Sequence, residues 1–218
     1  WRDVQTFTLV AEDDHYDEGN FGPDNQTFLI SVSSSLSDDS LYNAENATTR
    51  SDNVSILIED NDTAGVVIVY SDNTSSEDGT DNGSLTVNLQ SRPFDNLTVN
   101  LKVLASIQEH ALQLIPSSLI FDNGSDNWSI PQQVKIVSID DSVDEDSYGS
   151  DNQTFFLALD NITQTIPADA KYVDTVSANR KISLSGNLID NLTAYSLDND
   201  TMGVMVVATD NHSSENGT

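Results

Sequence analysis

The sequence predicts an all-β protein built from tandem β-sandwiches, and three features support this prediction. Apolar and polar residues alternate in short segments such as SLTVNLQ (84–90) and NLTVNLKVL (96–104), which is the pattern of strands with one buried face. Turn-forming Asp, Asn, Gly, Ser and Pro bound these segments, and no run of 10 residues carries a helical apolar stripe. Two long stretches of sequence also occur twice, which indicates a repeated folding unit.

The repeat is defined by two pairs of matching blocks. WRDVQTFTLVAEDDHYDEGNFGPDNQTF (1–28) aligns without a gap to 128–155, at an offset of 127 residues. DNDTAGVVIVYSDNTSSEDGT (60–80) aligns to 198–218 at an offset of 138 residues, so the 11 additional residues lie between the two blocks. These offsets predict a repeat unit of about 130 residues.

The register of the repeat divides the chain into three parts. We assign 1–62 to the C-terminal half of a preceding sandwich, 65–200 to one complete sandwich, and 203–218 to the opening strand of the next. The complete unit contains about seven short strands, the number expected of an immunoglobulin-like sandwich. They are predicted at 65–70, 84–90, 96–104, 111–121, 131–139, 154–159 and 181–189. The predicted fold class is therefore all-β, with tandem immunoglobulin-like β-sandwiches, one complete and two partial.

The two partial units do not add up to a whole one. Joining 203–218 of one copy to 1–62 of another would still omit the equivalents of residues 81–127. The resulting sandwich would expose apolar faces and open strand edges, which folded proteins avoid. We therefore expect residues 1–218 to be an excerpt of a longer chain, with further units before Trp1 and after Thr218 arranged end to end as a fibre.

The charge of the chain limits its partners. Asp and Glu total 36 residues and Lys and Arg total 8, so the formal net charge is −28 and the calculated pI is about 4.1. Nucleic acids and anionic membranes need a basic face, and no apolar run approaches the roughly 18 to 20 residues that span a bilayer. We thus expect no nucleic-acid binding and no direct membrane insertion. The absence of Cys excludes disulfides and thiolate metal sites.

A four-residue motif dominates the loops. Of the 21 Asn residues, 15 begin N-x-S/T, and each of these 15 follows Asp or Glu. None of the other six Asn residues follows an acidic residue or begins the motif. The repeated element is therefore [Asp/Glu]-Asn-x-[Ser/Thr]. Its asparagines are Asn25, Asn46, Asn53, Asn61, Asn73, Asn82, Asn96, Asn123, Asn127, Asn152, Asn161, Asn191, Asn199, Asn211 and Asn216.

Three interpretations of this motif compete. Asx-turn formation accounts for the Asp and the Asn, and calcium binding accounts for the acidic oxygens, but neither requires a hydroxyl two residues after the Asn. N-glycosylation requires that hydroxyl and an exposed loop. We therefore predict covalent N-linked glycans at most of these sites, with turn formation as a compatible second role. We interpret the fixed acidic residue as a preference of the transferase.

Carboxylates cluster at set positions in the loops. DDSVDED (140–146) forms one cluster, and its equivalent in the first half-unit is DDHYDE (13–18). DND occurs at both unit boundaries (60–62 and 198–200), and SSEDGT (75–80) adds two more acidic residues. Loop carboxylates in a chain without Cys suit Ca²⁺, which takes six to eight oxygen ligands. The alternative is a solvated acidic loop, but recurrence of the clusters in both copies favours calcium.

These same segments resemble a known family. WSIPQQVKIVSIDDSVDED (128–146), DNDTAGVVI (60–68) and the SSEDGT loop resemble the Calx-beta-like tandem repeats of large bacterial surface proteins and adhesins, which are related to the calcium-binding sandwiches of sodium/calcium exchangers. The resemblance covers essentially the whole chain. It implies a seven-stranded immunoglobulin-like sandwich in a string of modules, with calcium held at one end of each sandwich.

The resemblance also implies a set of calcium ligands. By position they are Glu77, Asp140, Asp141, Glu145, Asp198 and Asp200, with Glu109 a weaker candidate and with Asp13, Asp14, Asp60 and Asp62 as the corresponding residues of the first half-unit. The sequence departs from the family pattern where Val4 replaces a Pro and where Asn216 stands in place of Asp78. Asn61 and Asn199 lie inside the DND segments, so a glycan there would crowd a metal ion and the two interpretations compete.

The function that these features predict is structural. His15 and His110 do not lie in a repeated context with Ser or Asp, and His212 replaces Thr74 of the other copy. Because the carboxylate pairs also recur with the repeat, we predict no enzyme activity. We predict an extracellular or cell-surface protein: a heavily N-glycosylated tandem-repeat stalk or filament subunit that associates with itself and has calcium-stiffened module junctions. The alternative is an adhesin whose repeats bind carbohydrate or another cell. Dense glycans would leave little bare surface for recognition, which favours the structural role.

Overall fold

The structure is a computed structural model, and it describes residues 3–18, 25–31, 38, 53–104, 112–124, 126–144, 152–164, 171–172, 182–184, 187–189, 191–209, 211–213 and 215. Its strands are β1 (Asn25–Ser31), β2 (Asn53–Glu59), β3 (Val66–Asp72), β4 (Thr74–Ser76), β5 (Gly83–Leu89), β6 (Leu97–Leu104), β7 (Leu112–Ile115), β8 (Ser118–Phe121), β9 (Gln132–Ser138), β10 (Asn152–Gln164), β11 (Ile182–Leu184), β12 (Asn187–Ile189) and β13 (Leu192–Leu197). A short 3₁₀ helix covers Asp126–Ser129. Within the described ranges, no helix has the length and apolar composition needed to cross a membrane.

Strands β3 to β13 form two sheets. One sheet has the order β12-β11-β3-β5-β9-β7 and the other has the order β4-β13-β10-β6-β8. The run β3-β5-β9-β7 corresponds to the ABED sheet of the immunoglobulin fold, and β6-β10-β13 corresponds to the CFG sheet. Strand β4 joins the second sheet by pairing in parallel with β13. This topology confirms the predicted all-β, immunoglobulin-like sandwich.

The core lies between the two sheets because the strands alternate as the sequence predicts. In β5 every second residue from Gly83 to Leu89 is buried, and β6 alternates in the same way from Leu97 to Leu101. The inward residues of the two sheets form one apolar cluster that includes Ile68, Val87 and Phe155. Burial of these side chains is the main favourable contribution to folding of this unit.

Two strand predictions were wrong in detail. The segment 111–121 predicts one strand, but it contains β7 in one sheet and β8 in the other. Pro116 lies between them, and because proline has no N–H it cannot continue a central ladder. The segment 181–189 likewise divides into β11 and β12, which pair as a hairpin. Strand β13 was missed, although Leu192, Ala194 and Ser196 alternate with less buried residues.

The first half-unit repeats one hairpin of the complete unit. Strands β1 and β2 pair with Asn25 opposite Glu59, and β10 and β13 pair with Asn152 opposite Leu197, so the registers are equal after the two sequence offsets. The burial differs, however. Phe155 is 2% exposed, whereas its equivalent Phe28 is 48% exposed. The hairpin therefore has the same backbone pairing in both places, but only β10 and β13 are covered by a second sheet.

This difference predicts unequal effects of the same substitution. We expect Phe155→Ala to reduce the free energy of unfolding by about 3–5 kcal/mol, because it opens a cavity in a close-packed core. Phe28→Ala should cost less than about 1 kcal/mol, because the side chain is already half exposed. Urea denaturation of both variants measures the difference. Equal losses would contradict the assignment of the core.

Candidate metal centre and glycan acceptor sites

Two junctions in the chain have the same local structure. We name residues 13–18 with 60–64 the first junction, and residues 140–144 with 198–202 the second junction. In both loops a residue with left-handed backbone follows a pair of Asp residues: His15 has φ 65° and Ser142 has φ 66°. The preceding Asp14 and Asp141 each accept a hydrogen bond from the backbone N–H two residues further on, at 3.1 and 2.9 Å. The repeat in sequence is therefore a repeat in conformation.

The DND segments turn in the same way at both junctions. The Oδ1 atom of Asp60 accepts a hydrogen bond from the N–H of Asp62 at 2.8 Å, and Asp198 accepts from Asp200 at 2.7 Å. Asp60 and Asp198 are buried, at 9% and 4% exposure. These turns direct the second Asp of each segment toward the neighbouring DD loop.

At the second junction three carboxylates converge. Single oxygens of Glu77, Asp140 and Asp200 lie within 4.8 Å of one another. Glu77 directly follows β4, and its N–H donates to the carbonyl of Leu197 at 3.0 Å. Its side chain is 4% exposed and accepts a hydrogen bond from the Ser196 hydroxyl at 3.4 Å. The parallel pairing of β4 with β13 thus places a buried glutamate beside the DND segment.

The first junction has a related cluster with a different third member. Asp13, His15 and Asp62 each offer one ligand atom within 4.8 Å of the others. Asp13 and Asp62 are the repeat equivalents of Asp140 and Asp200, whereas the third member differs. A histidine and two carboxylates form a weaker set for a hard cation than three carboxylates.

Proximity of like charges changes the acidity of both clusters. Burial raises the pKa of Asp200, and repulsion from Asp140, Asp198 and Asp141 raises it further. Burial also raises the pKa of Asp62, with Asp13 and Asp60 as the nearest contributing carboxylates. A bound divalent cation would relieve this repulsion.

The oxygen atoms of the second junction fit a calcium ion. The Oδ2 atom of Asp200 is buried and accepts no hydrogen bond within the described part of the chain. Calcium takes hard oxygen ligands in flexible geometry, and this atom and the oxygens of Glu77 and Asp140 would supply part of such a shell.

The structure brings together some of the sequence-predicted ligands. Glu77, Asp140 and Asp200 share one cluster, and Asp13 and Asp62 share the other. Asp141 and Asp198 lie close enough to act on Asp200, Asp60 acts on Asp62, and Asp14 and Asp60 act on Glu18. Glu145 and Glu109 lie outside the described residues.

The predicted ligand set omits Glu18 of the first junction, although this residue belongs to the acidic run 13–18. Burial raises the pKa of its carboxyl, as do Asp14 and Asp60. Its backbone N–H donates to Asp60 Oδ2 at 2.9 Å, and its carboxylate accepts from Gln26 Nε2 at 2.5 Å. Its place at the end of that run is the signal that could have identified it.

The sequon asparagines lie at the surface. Side-chain exposure is described for 12 of the 15, and none of these 12 is buried. Asn25, Asn53, Asn61, Asn96, Asn161, Asn191, Asn199 and Asn211 are exposed, and Asn73, Asn82, Asn123 and Asn127 are half-buried. Asn46, Asn216 and the side chain of Asn152 lie outside the described residues.

At the DND segments, the Asn that would carry a glycan and the Asp residue before it differ in exposure. Asn61 and Asn199 are exposed, whereas the adjacent Asp60 and Asp198 are buried. The amide of each Asn therefore points to solvent while the carboxylate before it points inward. A sugar on the amide and a cation among the carboxylates would occupy different sides of the backbone.

The acidic residue before the Asn has a local structural role in four sequons. Asp60, Asp72, Asp122 and Asp198 each accept a hydrogen bond at Oδ1 from the N–H two residues on, at 2.8, 2.9, 2.7 and 2.7 Å. The Asn is then the central residue of an Asx turn. The same turn occurs without a sequon at Asp78, so it is a general feature of these loops.

The solved structures that resemble this chain do so weakly. No protein-family model matches the chain, and no curated protein matches its sequence. Among solved structures, the apo-form Calx CBD1 domain is 16% identical over 62% of this chain and 99% of that chain, with a TM-score of 0.34. The Escherichia coli chaperone DraB is 12% identical over 63% of this chain and 56% of that chain, with a TM-score of 0.33.

A third similar structure is the Salmonella enterica SafA pilin in complex with the SafB chaperone. It is 11% identical over 62% of this chain and 54% of that chain, with a TM-score of 0.32. The matches to DraB and to the pilin complex therefore span about half of those chains. At these values the similarities carry no conclusion about function, and the fold assignment rests on the strand order of the two sheets.

The acidity of the second junction predicts a pH dependence. Because the folded state raises the pKa of Asp200, it binds the proton more tightly than the unfolded state does. The ionised Asp200 carboxylate therefore destabilises the metal-free protein at neutral pH. This destabilisation disappears as the pH falls through the raised pKa. We expect Asp200→Asn to raise the melting temperature in EDTA at neutral pH. The variant should also show a smaller increase in melting temperature than the wild-type protein when the pH is lowered.

Asp78→Ala is the matched control, since an Asn at this position would create a new N-x-T acceptor ending at Thr80. Hydrogen bonds from Thr80 and Ser76 lower the pKa of Asp78, so its contribution is present at neutral pH and is lost as the pH falls. This variant should not raise the melting temperature. A lower melting temperature for Asp200→Asn in EDTA would contradict the repulsion described for the second junction.

Proposed function

We propose that the chain is part of an extracellular structural protein, a glycosylated stalk or filament of tandem β-sandwiches whose junctions bind calcium. The observation that carries the proposal is the recurrence of one junction geometry, with Asp13 and Asp62 in the first copy and Asp140 and Asp200 in the second. A catalytic site needs to occur only once, whereas a device that links modules must occur at each boundary.

The calcium part of the proposal concerns how successive units are joined. Glu77 belongs to the start of the complete unit, Asp140 to its middle and Asp200 to its end, where the next unit begins. A cation bound to all three would fix the exit direction of the chain relative to the sandwich. It would also neutralise part of the −28 charge, which opposes close approach of units.

The glycan part of the proposal concerns the surface. The described sequon asparagines are all exposed or half-buried, so the oligosaccharides would project outward from both sheets. Ordinary globular surfaces do not carry an acceptor motif at this frequency by chance. A coat of this density would protect an extended array from proteases and would limit lateral association.

The test of the glycan proposal is a site-by-site occupancy map of the native protein by mass spectrometry. We expect attached glycan at most of the 15 sequon asparagines and at none of the six other asparagines. The total mass should exceed 23.7 kDa and fall on deglycosylation. Unmodified asparagine at the majority of the sequons would refute this part of the proposal.

Variants of Asp122 separate charge from turn geometry in acceptor recognition. Asp122→Asn keeps an oxygen that can accept the hydrogen bond from Gly124, now made at 2.7 Å, whereas Asp122→Glu keeps the charge. Because two sequons follow Glu and none follows Asn or Ser, we expect Asp122→Glu to retain glycan at Asn123 and Asp122→Asn to lose most of it. Occupancy of Asn96 in the same protein is the internal control.

The test of the calcium proposal is the melting temperature with and without Ca²⁺. We expect Ca²⁺ to raise the melting temperature, because it binds only the folded junction, and chelation to reverse the rise. Asp200→Asn should remove most of the increase. Asp78→Ala removes the same charge from a residue adjacent to Glu77 and should keep the increase. No change on chelation of the wild-type protein would refute calcium stiffening.

A further inference from the structure

Outside the cluster of candidate metal ligands, the first junction is held by a buried ion pair. Asp17 is 2% exposed, and its Oδ1 atom binds the ammonium of Lys171, which lies 154 residues further along the chain. Its Oδ2 atom accepts a hydrogen bond from the N–H of Ala64 at 2.7 Å. One aspartate therefore links the first half-unit, the connecting backbone and the complete sandwich.

Aromatic and arginine contacts surround this ion pair. The rings of Tyr16 and Phe94 stack with centroids 4.7 Å apart, and the guanidinium of Arg92 lies 5.0 Å from the Tyr16 ring. The N–H of Arg92 donates to the carbonyl of His15 at 2.6 Å. The complete unit thus presents a lysine, an arginine and a phenylalanine to the loop of the unit before it.

We call this ion pair and its contacts the joint. The second junction repeats one half of the joint, the half that carries the carboxylate. Asp144 is the repeat equivalent of Asp17, and its Oδ2 atom accepts a hydrogen bond from the N–H of Met202, the equivalent of Ala64. Its Oδ1 atom is shielded from solvent and has no hydrogen-bond partner in the described ranges. This is the atom that corresponds to the lysine-binding oxygen of Asp17.

The neighbours of Asp144 are exposed where those of Asp17 are covered. Val143 occupies the place of Tyr16 and is 53% exposed. Val204, which follows Met202 as Val66 follows Ala64, is 90% exposed, whereas Val66 is 5% exposed. Within the described residues, the second junction therefore has the acceptor half of the joint without the lysine, arginine and aromatic partners of the first junction.

We infer that Ser142–Asp144 and Met202 form a docking surface for a further sandwich of the same repeat, the one that residues 203–218 open. A lysine of that sandwich, in the place of Lys171, occupies the Oδ1 atom of Asp144. The inference rests on the tandem arrangement in the proposed function. It does not depend on calcium or on glycans, because Asp144 belongs to neither set.

Charge complementarity supports a cation at this position. The chain has 8 Lys and Arg residues against 36 acidic ones, and Arg92 and Lys171 are both used at the first junction. A buried carboxylate oxygen without a donor is costly, and its repeat equivalent shows how the cost is avoided. The partner that fits is therefore a sandwich with a lysine on the facing loop.

The test compares Asp17→Asn with Asp144→Asn, both in EDTA, in two proteins. The first is the 218-residue chain, and the second is the same chain extended after Thr218 by a second copy of residues 81–200, which completes the next sandwich. In the shorter protein we expect Asp17→Asn to lower the melting temperature and Asp144→Asn to leave it unchanged or raise it. In the extended protein Asp144→Asn should lower it as well.

Two further variants of the extended protein isolate the ion pair. Lys171→Met in the added copy should reproduce the loss caused by Asp144→Asn, and combining the two should cost little more than either alone. Glu12→Gln removes an equal charge from an exposed residue outside the proposed ligand set and should not lower the melting temperature in EDTA.

Several outcomes would overturn the inference. One is an added sandwich that stays unfolded, and another is an effect of Asp144→Asn that is seen only with Ca²⁺. A third is an effect of Asp144→Asn in the shorter protein that grows with protein concentration, which would indicate that a second copy of the chain is the occupant. The glycan map and the calcium titration use other residues. Failure here would therefore leave the proposed function standing, and failure there would leave this joint standing.

Discussion

Mutual repulsion among carboxylates is the constraint on which the junctions depend. Each boundary between units gathers several Asp and Glu residues into a few loops, with few cations in the chain to neutralise them. Backbone N–H donors offset part of this repulsion, because each Asx turn directs a peptide dipole at a carboxylate oxygen. Lys171 adds one positive charge at the first junction. Burial, together with repulsion from the neighbouring carboxylates, still raises the pKa values of Asp62 and Asp200.

Much of the fold could be predicted because it is periodic. Alternation placed most of the strands of the complete sandwich, and the two repeat offsets reproduce the register of β1 with β2 from that of β10 with β13. Prediction failed where one residue overrides the pattern, as Pro116 does between β7 and β8. It also failed for β13, whose Ala and Ser residues are weakly apolar yet buried.

The site was predictable in part for a similar reason. Recurring acidic motifs were enough to identify Asp140, Asp200 and their equivalents, because local sequence determines how these loops turn. The ion pair between Asp17 and Lys171 could not be found in this way. The two residues lie far apart in sequence, and neither belongs to a sequence motif that indicates the other. Only the packing of the complete unit against the preceding loop brings them together.

The position of Lys171 has a consequence for how such an array can change over generations. Asp17 and Asp144 lie in the block that repeats without gaps, whereas Lys171 lies in the stretch where the two copies differ by 11 residues. The acidic half of the joint is therefore the same in both copies, whereas the segment that carries the lysine differs between them. Recombination between repeats would bring together neighbours whose halves no longer match. If the inferred joint forms, the stability of an array would therefore depend on the order of its units.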